Sequence, residues 1–312
     1  MTALGTTVSS FVESLTYRGR EGQLSFIGHR LAGLGTLAFL ALHILDTSTV
    51  YFGKQLGQPG LYQDAVNLYR STPFMLGEIL LVAAVFYHGV NGLKIILFDT
   101  FPNWWQVDRE RQTFWRVVAI TFVLWVPAAA MMGYSLYSNN IAGLQQPALT
   151  TAQVAYDTNL TLTIVPVAFF VILGLLVVGA KLQPAVAAGS GSRRVAVPPK
   201  TLDTYVWQFM RWSGVLLIPL AWMHVLLQDV IVGVHSITID FVALRWATVG
   251  WRIYDIALLG FAFGHGMFGL RTVVNDYVHN PTWNRAIKWL MVIGWVVITT
   301  IGAVAVVGGV AQ

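Results

Sequence analysis

The chain has 312 residues, of which 56% are hydrophobic and only 11% charged, with a mean hydropathy of +0.64; this excludes a soluble globular domain and indicates an all-α polytopic membrane protein. It contains no cysteine, so disulfides, thiolate zinc sites and an iron–sulfur cluster of its own are excluded. The net charge of +5 is no nucleic-acid signature, because the cations lie between apolar segments and report topology instead.

Residues 1–25 lack an apolar core of the kind a cleaved secretory signal carries and read as a cytoplasmic segment, with Val8, Phe11, Val12 and Leu15 able to form a short interfacial helix. Seven stretches then reach the roughly 20 apolar residues needed to cross about 30 Å of hydrocarbon. They run over about 26–48, 73–98, 114–137, 159–181, 205–229, 251–275 and 287–309. Two related three-helix halves are expected at 26–137 and 205–312. Between them lie an outer loop with an extra, connecting span (138–182) and a Gly-, Ser- and Pro-rich cytoplasmic linker (183–204). The extra span carries no histidine and no ionisable residue between Leu160 and Ala180, as a lipid-facing connector would. With the N-terminus cytoplasmic and the C-terminus outside, 15 of the 19 Lys and Arg residues fall inside. Lys54, Arg70, Arg245 and Arg252 remain outside.

The halves share a pattern. His88-Gly-Val-Asn-Gly92-Leu-Lys94, running on to Asp99, returns as His265-Gly-Met-Phe-Gly269-Leu-Arg271, running on to Asp276-Tyr277. Upstream, Arg30-Leu-Ala-Gly33 stands thirteen residues before His43, and Arg211-Trp-Ser-Gly214 stands thirteen before His224. Counted from the span ends at 1.5 Å per residue, His43 and His224 sit ~8–9 Å below the outer surface, and His88 and His265 ~21–22 Å below it. One histidine at such a depth is most simply a hydrogen-bonded helix contact. Four, sorted into an outer and an inner pair with one member from each half, point to bis-imidazole ligation of two b-type haems. Glycines 89, 92, 266 and 269 would admit a planar macrocycle or close helix packing. A zinc or di-iron site would want carboxylates or thiolates beside the histidines, and the inner pair has none within a turn. No CxxCH is present, so haem attachment would be non-covalent.

Among the other ionisable groups, Asp46 and Asp229 read as solvated helix ends, and Glu78, deeper in the second span, as a proton-relay candidate. His235 and His279 read as interfacial. Most tryptophans, among them Trp104, Trp105, Trp115, Trp246, Trp251, Trp283 and Trp289, flank spans as an aromatic belt.

These motifs resemble the membrane anchor of the succinate:quinone oxidoreductase and quinol:fumarate reductase (complex II) family, with its two cytochrome b anchor subunits joined in one chain. Ser25-Phe-Ile-Gly-His29-Arg30-Leu-Ala-Gly33 and Tyr87-His88…Asp99 match the large anchor subunit, and His265…Gly269…Asp276-Tyr277 the small one. The resemblance implies two haems b, with iron held by His88 and His265 at the inner site and by His43 and His224 at the outer. It implies a quinone site formed by Arg30, Asp276, Tyr277 and His29, in which Ser25 is a weaker member because it stands four residues before His29 where the family has three. Arg30 and Arg211 would suit haem propionates through the bidentate guanidinium fork. The resemblance further implies a flavoprotein (FAD) subunit and an iron–sulfur subunit as partners, where succinate chemistry would reside. Menaquinone as the favoured quinone, a bacterial cytoplasmic membrane location and a possible higher oligomer complete the expectation. The alternatives are a dihaem cytochrome b of a formate dehydrogenase or hydrogenase, a haem-binding anchor without quinone chemistry, and a cofactor-free transporter.

Overall fold

The computed structural model describes residues 12–13, 19–144, 150–182 and 201–309. Val8, Phe11, Leu15 and residues 183–200 of the linker lie outside these residues, and no strand occurs among the described residues. Seven helices are long and apolar enough to cross a membrane by length and composition.

The long helices are α1 (Arg20–Gln55), α3 (Thr72–Thr100), α4 (Glu110–Leu136), α5 (Thr151–Leu182), α6 (Leu202–Val225), α8 (Val249–Tyr277) and α9 (Pro281–Gly308), with the short helices α2 (Leu61–Tyr69) and α7 (Ile239–Ala247) between them. The expected spans all fall on these long helices, most of which outrun the 20-residue estimate at one or both ends. Helix starts follow local chemistry. Asn280 accepts from the backbone N–H of Thr282 and Trp283, at 3.0 and 3.1 Å, with Pro281 in the first turn, where no N–H is needed. Thr201 and Thr204 form a capping box at the start of α6.

Helices α1, α3, α6 and α8 pack neighbour to neighbour in a closed ring, α1 on α3, α3 on α6, α6 on α8 and α8 on α1. The diagonal partners, α1 with α6 and α3 with α8, lack extended backbone contact, which leaves the ring an interior. Outside the ring, α4 lies on α3, α9 lies in the groove between α1 and α8, and α5 lies on α6. Close approach is bought with glycine where rigid groups meet. Gly302 of α9 faces Ile44 and Leu259, so that an added Cβ would stand 2.9 and 3.0 Å from their side chains. The Gly89 and Gly266 positions, one residue after the histidines of the repeat, face Trp222 and Leu37 of the opposite half. Both are therefore helix-packing glycines, while Gly269 has open space where its Cβ would be.

The extra helix α5 is not wholly a lipid-facing bystander. Val165 joins Leu220, Met223, Leu227, Trp251 and Tyr254 in one cluster, while Val167, Phe170 and Val171 remain exposed. The end of α6 widens into a π-turn over Leu226–Val232 directly after His224. Short α2 and α7 close the opposite end of the ring from Arg30: Tyr62 and Val66 pack with Trp246, Val50 and Val306.

Replacing Gly89 by alanine drives a methyl to within 2.8 Å of the Trp222 ring. Overpacking of this kind costs about 1–3 kcal/mol, so G89A is expected to lower the detergent-solubilised melting temperature. G269A, opening onto free space, should leave it unchanged or raise it slightly; equal losses in both variants would contradict the packing described.

Candidate functional site

The ring interior is where the four repeat histidines meet. His88 of α3 and His265 of α8 have ring centroids 6.1 Å apart, and His43 of α1 and His224 of α6 have theirs 6.1 Å apart. Each pair thus spans a diagonal of the ring and takes one member from each half. Two imidazoles bound on opposite sides of one metal ion would have centroids roughly 6.2 Å apart, from two bonds of about 2 Å and two ring radii of about 1.1 Å. Both pairs fit that requirement. Their planes are nearly perpendicular, at 89° and 77°.

The inner pair is held in a defined tautomer from behind. His88 Nδ1 donates to the His29 carbonyl oxygen at 3.0 Å. Ser213 Oγ donates to the Phe209 carbonyl at 2.6 Å, so at 2.9 Å it accepts from His265 Nδ1. Both Nε2 lone pairs are then available to a ligand, the arrangement in which a second partner orients a metal-binding histidine. The upstream glycines of the repeat make room for these rings: Gly33 lies against His88 and Gly214 against His265. Ser213 was not singled out by sequence, although its place directly before Gly214 in the repeat is the available signal. His29, expected at the quinone site, stacks on His88 with centroids 4.0 Å apart and planes 10° from parallel, its own Nδ1 buried without a partner among the described residues.

At the outer pair, Phe39 stacks on His43 at 5.5 Å, and His224 Nδ1 is buried without a partner among the described residues. Both rings line a cavity of about 310 Å³. Its wall also includes Asp46, Glu78 and Asp229. Asp46 and Asp229, read from sequence as solvated helix ends, therefore face this interior space, and Asp46 accepts a hydrogen bond of 2.6 Å from Tyr69 Oη. Arg245 and Asp255 line it as well. Burial pushes the Arg245 guanidinium down from its ordinary value, opposed by the Asp255 carboxylate. Among the described residues no group of three or more His, Asp or Glu is placed to enclose a metal ion.

At the other end of the ring the repeat produces a crossed pair of ion pairs. Arg30 of the first half binds Asp276 of the second, and Arg211 of the second binds Asp99 of the first, its Nε donating to Oδ2 at 2.9 Å. Each arginine also lies on an aromatic ring four residues earlier, Arg30 over Phe26 at 4.0 Å and Arg211 over Trp207 at 4.6 Å. Both guanidiniums are thus occupied by carboxylates of the opposite half. Tyr277 follows Asp276 at the end of α8 and is half-buried.

Ser25 does not join this group. Five residues from Arg30 is about 140° around a helix, and its hydroxyl instead donates to Asn91 at 2.8 Å and accepts from Lys94 at 2.9 Å on α3. Asn91, 1% exposed, is the other polar residue here that sequence did not mark.

A sequence model of the succinate dehydrogenase/fumarate reductase transmembrane subunit matches residues 12–128 and 190–304. The chain belongs to this transmembrane-subunit family. It is also similar to the succinate dehydrogenase 2 membrane subunit SdhC of Mycobacterium tuberculosis (strain ATCC 25618 / H37Rv), with 31% identity over 124 residues, 39% of this chain and 85% of that protein. The two segments matching the transmembrane subunit divide the site evenly: the first contains Arg30, His43, His88 and Asp99, the second Arg211, His224, His265, Asp276 and Tyr277. Helix α5 falls between them.

The side chains of the Arg211–Asp99 pair are about one-third exposed, so the neutral change Asp99→Asn should cost no more than about 1 kcal/mol. Reversal to D99R sets two cations against each other and is expected to destabilise the purified subunit further. The double variant D99R with Arg211→Asp should recover most of that loss in a thermal melt; no recovery would show that the two residues do not act as a pair.

Proposed function

We propose that this chain is the dihaem cytochrome b anchor of a succinate:quinone oxidoreductase, carrying electrons between an iron–sulfur subunit and a quinone. The observation that supports this most directly is the two diagonal histidine pairs, each with the centroid separation that one iron between two imidazoles requires. His88 and His265 would hold the inner haem and His43 and His224 the outer. When bound, each haem supplies a one-electron redox centre inside the hydrocarbon layer, where no side chain of this chain could serve. The halves are read as two fused, related anchor subunits, since the family match falls in two segments and each histidine pair draws on both.

The chain's own residues then have distinct tasks. Ser213 and the His29 carbonyl fix the imidazoles that face the inner site. The crossed Arg–Asp pairs hold the two halves in register at the end that carries Tyr277. We assign the quinone to that end, with the Tyr277 hydroxyl donating to a quinone carbonyl and the Arg30–Asp276 pair lining the path for proton delivery. His29 borders this region from its stack on His88. Succinate chemistry belongs to a flavoprotein (FAD) partner, delivered through an iron–sulfur partner on the cytoplasmic side, and menaquinone is the favoured acceptor. The membrane is taken to be a bacterial cytoplasmic membrane with the N-terminus inside, on the positive-inside balance.

Pyridine haemochrome analysis of the purified complex should give two b haems per chain, falling to one in either His43→Ala or His88→Ala; one haem in the unaltered protein overturns the reading. Were a haem held between rings so nearly perpendicular, the two iron d orbitals that bond with the imidazoles would be nearly equal in energy. The ferric protein should accordingly show strongly anisotropic low-spin electron paramagnetic resonance signals, whereas parallel planes would give ordinary rhombic spectra.

Tyr277→Phe removes one hydrogen bond to the quinone, about 1–1.5 kcal/mol. It should lower succinate:quinone turnover about tenfold while leaving succinate oxidation with a soluble dye unchanged. Equal rates with quinone would place the quinone elsewhere.

A further inference from the structure

Of the four cations that sequence places on the outer side, the structure puts the three arginines to different uses. Arg70 donates to the backbone carbonyls of Val234, His235 and Ile237 at 3.4, 3.2 and 2.8 Å, tying the outer loops together. Arg252 donates to the carbonyls of Trp246 and Val307, fastening α8 to the end of α9. Arg245 does neither. It is turned inward from α7, its side chain 7% exposed, with the guanidinium carbon 3.6 Å from the centroid of the fully buried Trp251 ring.

The counter-charge in direct contact is incomplete: the carboxylates of Asp255 and of Asp157 on α5 both act on the Arg245 charge, and neither hydrogen-bonds to it. Asp255 is 3.8 Å from Arg245 Nη2, beyond hydrogen-bond range, and its other oxygen accepts from Trp246 Nε1 at 2.9 Å. A guanidinium offers five N–H donors in a planar fork that fits carboxylates. Burying such a charge is costly unless it is closely paired. The space it adjoins is the cavity of about 310 Å³ that also holds the His43 and His224 rings. The carboxyls on that wall come from other elements, Asp46 on α1, Glu78 on α3 and Asp229 after α6. Among the described residues that line this cavity, the one Lys or Arg for an acidic ligand edge to meet is Arg245.

We propose that Arg245 is a positioning residue for a carboxylate of the ligand held between His43 and His224, a propionate of the outer haem, and that its charge raises that centre's reduction potential. This rests on the two-haem reading above. Trp251 holds the fork in place, so the cation is oriented before the ligand arrives. Asp255 sets the residual charge without neutralising the fork by direct hydrogen bonding.

The test is a redox titration of the purified complex in four forms: unaltered, Arg245→Met, Arg245→Lys and His43→Ala. The His43→Ala protein identifies the outer wave by its loss. R245M is expected to keep two haems by pyridine haemochrome and to shift the outer wave alone to lower potential, by at least tenfold in the reduction equilibrium, about 59 mV for one electron. R245K, retaining the charge without the fork, should shift it less. Loss of the outer haem in R245M with a smaller or no loss in R245K also supports the assignment. Two retained haems with an unmoved outer wave in R245M overturn the role of Arg245 and leave the two-haem reading intact. Should R245M fail to assemble, Arg245→Gln takes its place in the titration, and an outer wave there at the unaltered potential with unaltered haem content overturns it as well. A single haem in the unaltered complex overturns both.

Discussion

The architecture depends on placing four imidazoles inside a bundle that otherwise offers them hydrocarbon. An uncompensated polar ring is costly in such surroundings. The ring of α1, α3, α6 and α8 answers this by keeping its diagonals apart, so that each histidine faces a partner across an interior space and not across a helix seam. Neighbouring helices do the packing, and the diagonals hold the two histidine pairs. Gly33, Gly89, Gly214 and Gly266 allow both at once, since each removes a side chain where a ring or an opposite helix must approach.

The repeat is realised in contacts with a consistent logic. The glycine of each Arg-x-x-Gly faces the inner histidine of its own half, while the arginine reaches an aspartate of the other. The symmetry is imperfect where the surroundings differ. His29 has Met210 as its counterpart by position, and the Nδ1 of the inner histidines is satisfied by a backbone carbonyl in one half and by Ser213 in the other. The extra helix α5 is held on α6 by Val165 and its neighbours.

Much of this was legible in the sequence. Depth along a helix follows from rise per residue, which is why counting from span ends sorted the four histidines into the pairs that the fold brings together. Depth says nothing of azimuth in the bundle, so the diagonal arrangement was not legible. Azimuth within one helix was available and explains Ser25: the spacing of five to Arg30 turns it toward Asn91 and Lys94, whereas Phe26, at four, lies under the guanidinium. The short helices α2 and α7 were missed because nine-residue amphipathic segments disappear in a span-length hydropathy window. With α7 missed, Arg245 counted only as one of the cations on the outer side. Its apolar setting, Phe241-Val-Ala-Leu-Arg-Trp246, was the clue that it folds inward.

The crossed ion pairs also set an order on biogenesis. Arg30 and Asp276 are 246 residues apart in the chain. At about 5–20 residues per second of synthesis, the cation would wait roughly 10–50 s for its carboxylate. During that interval the Arg30 guanidinium lacks the carboxylate that it meets in the folded chain. The contact by which Arg30 joins the two halves can therefore close only once α8, the last helix but one, has been made.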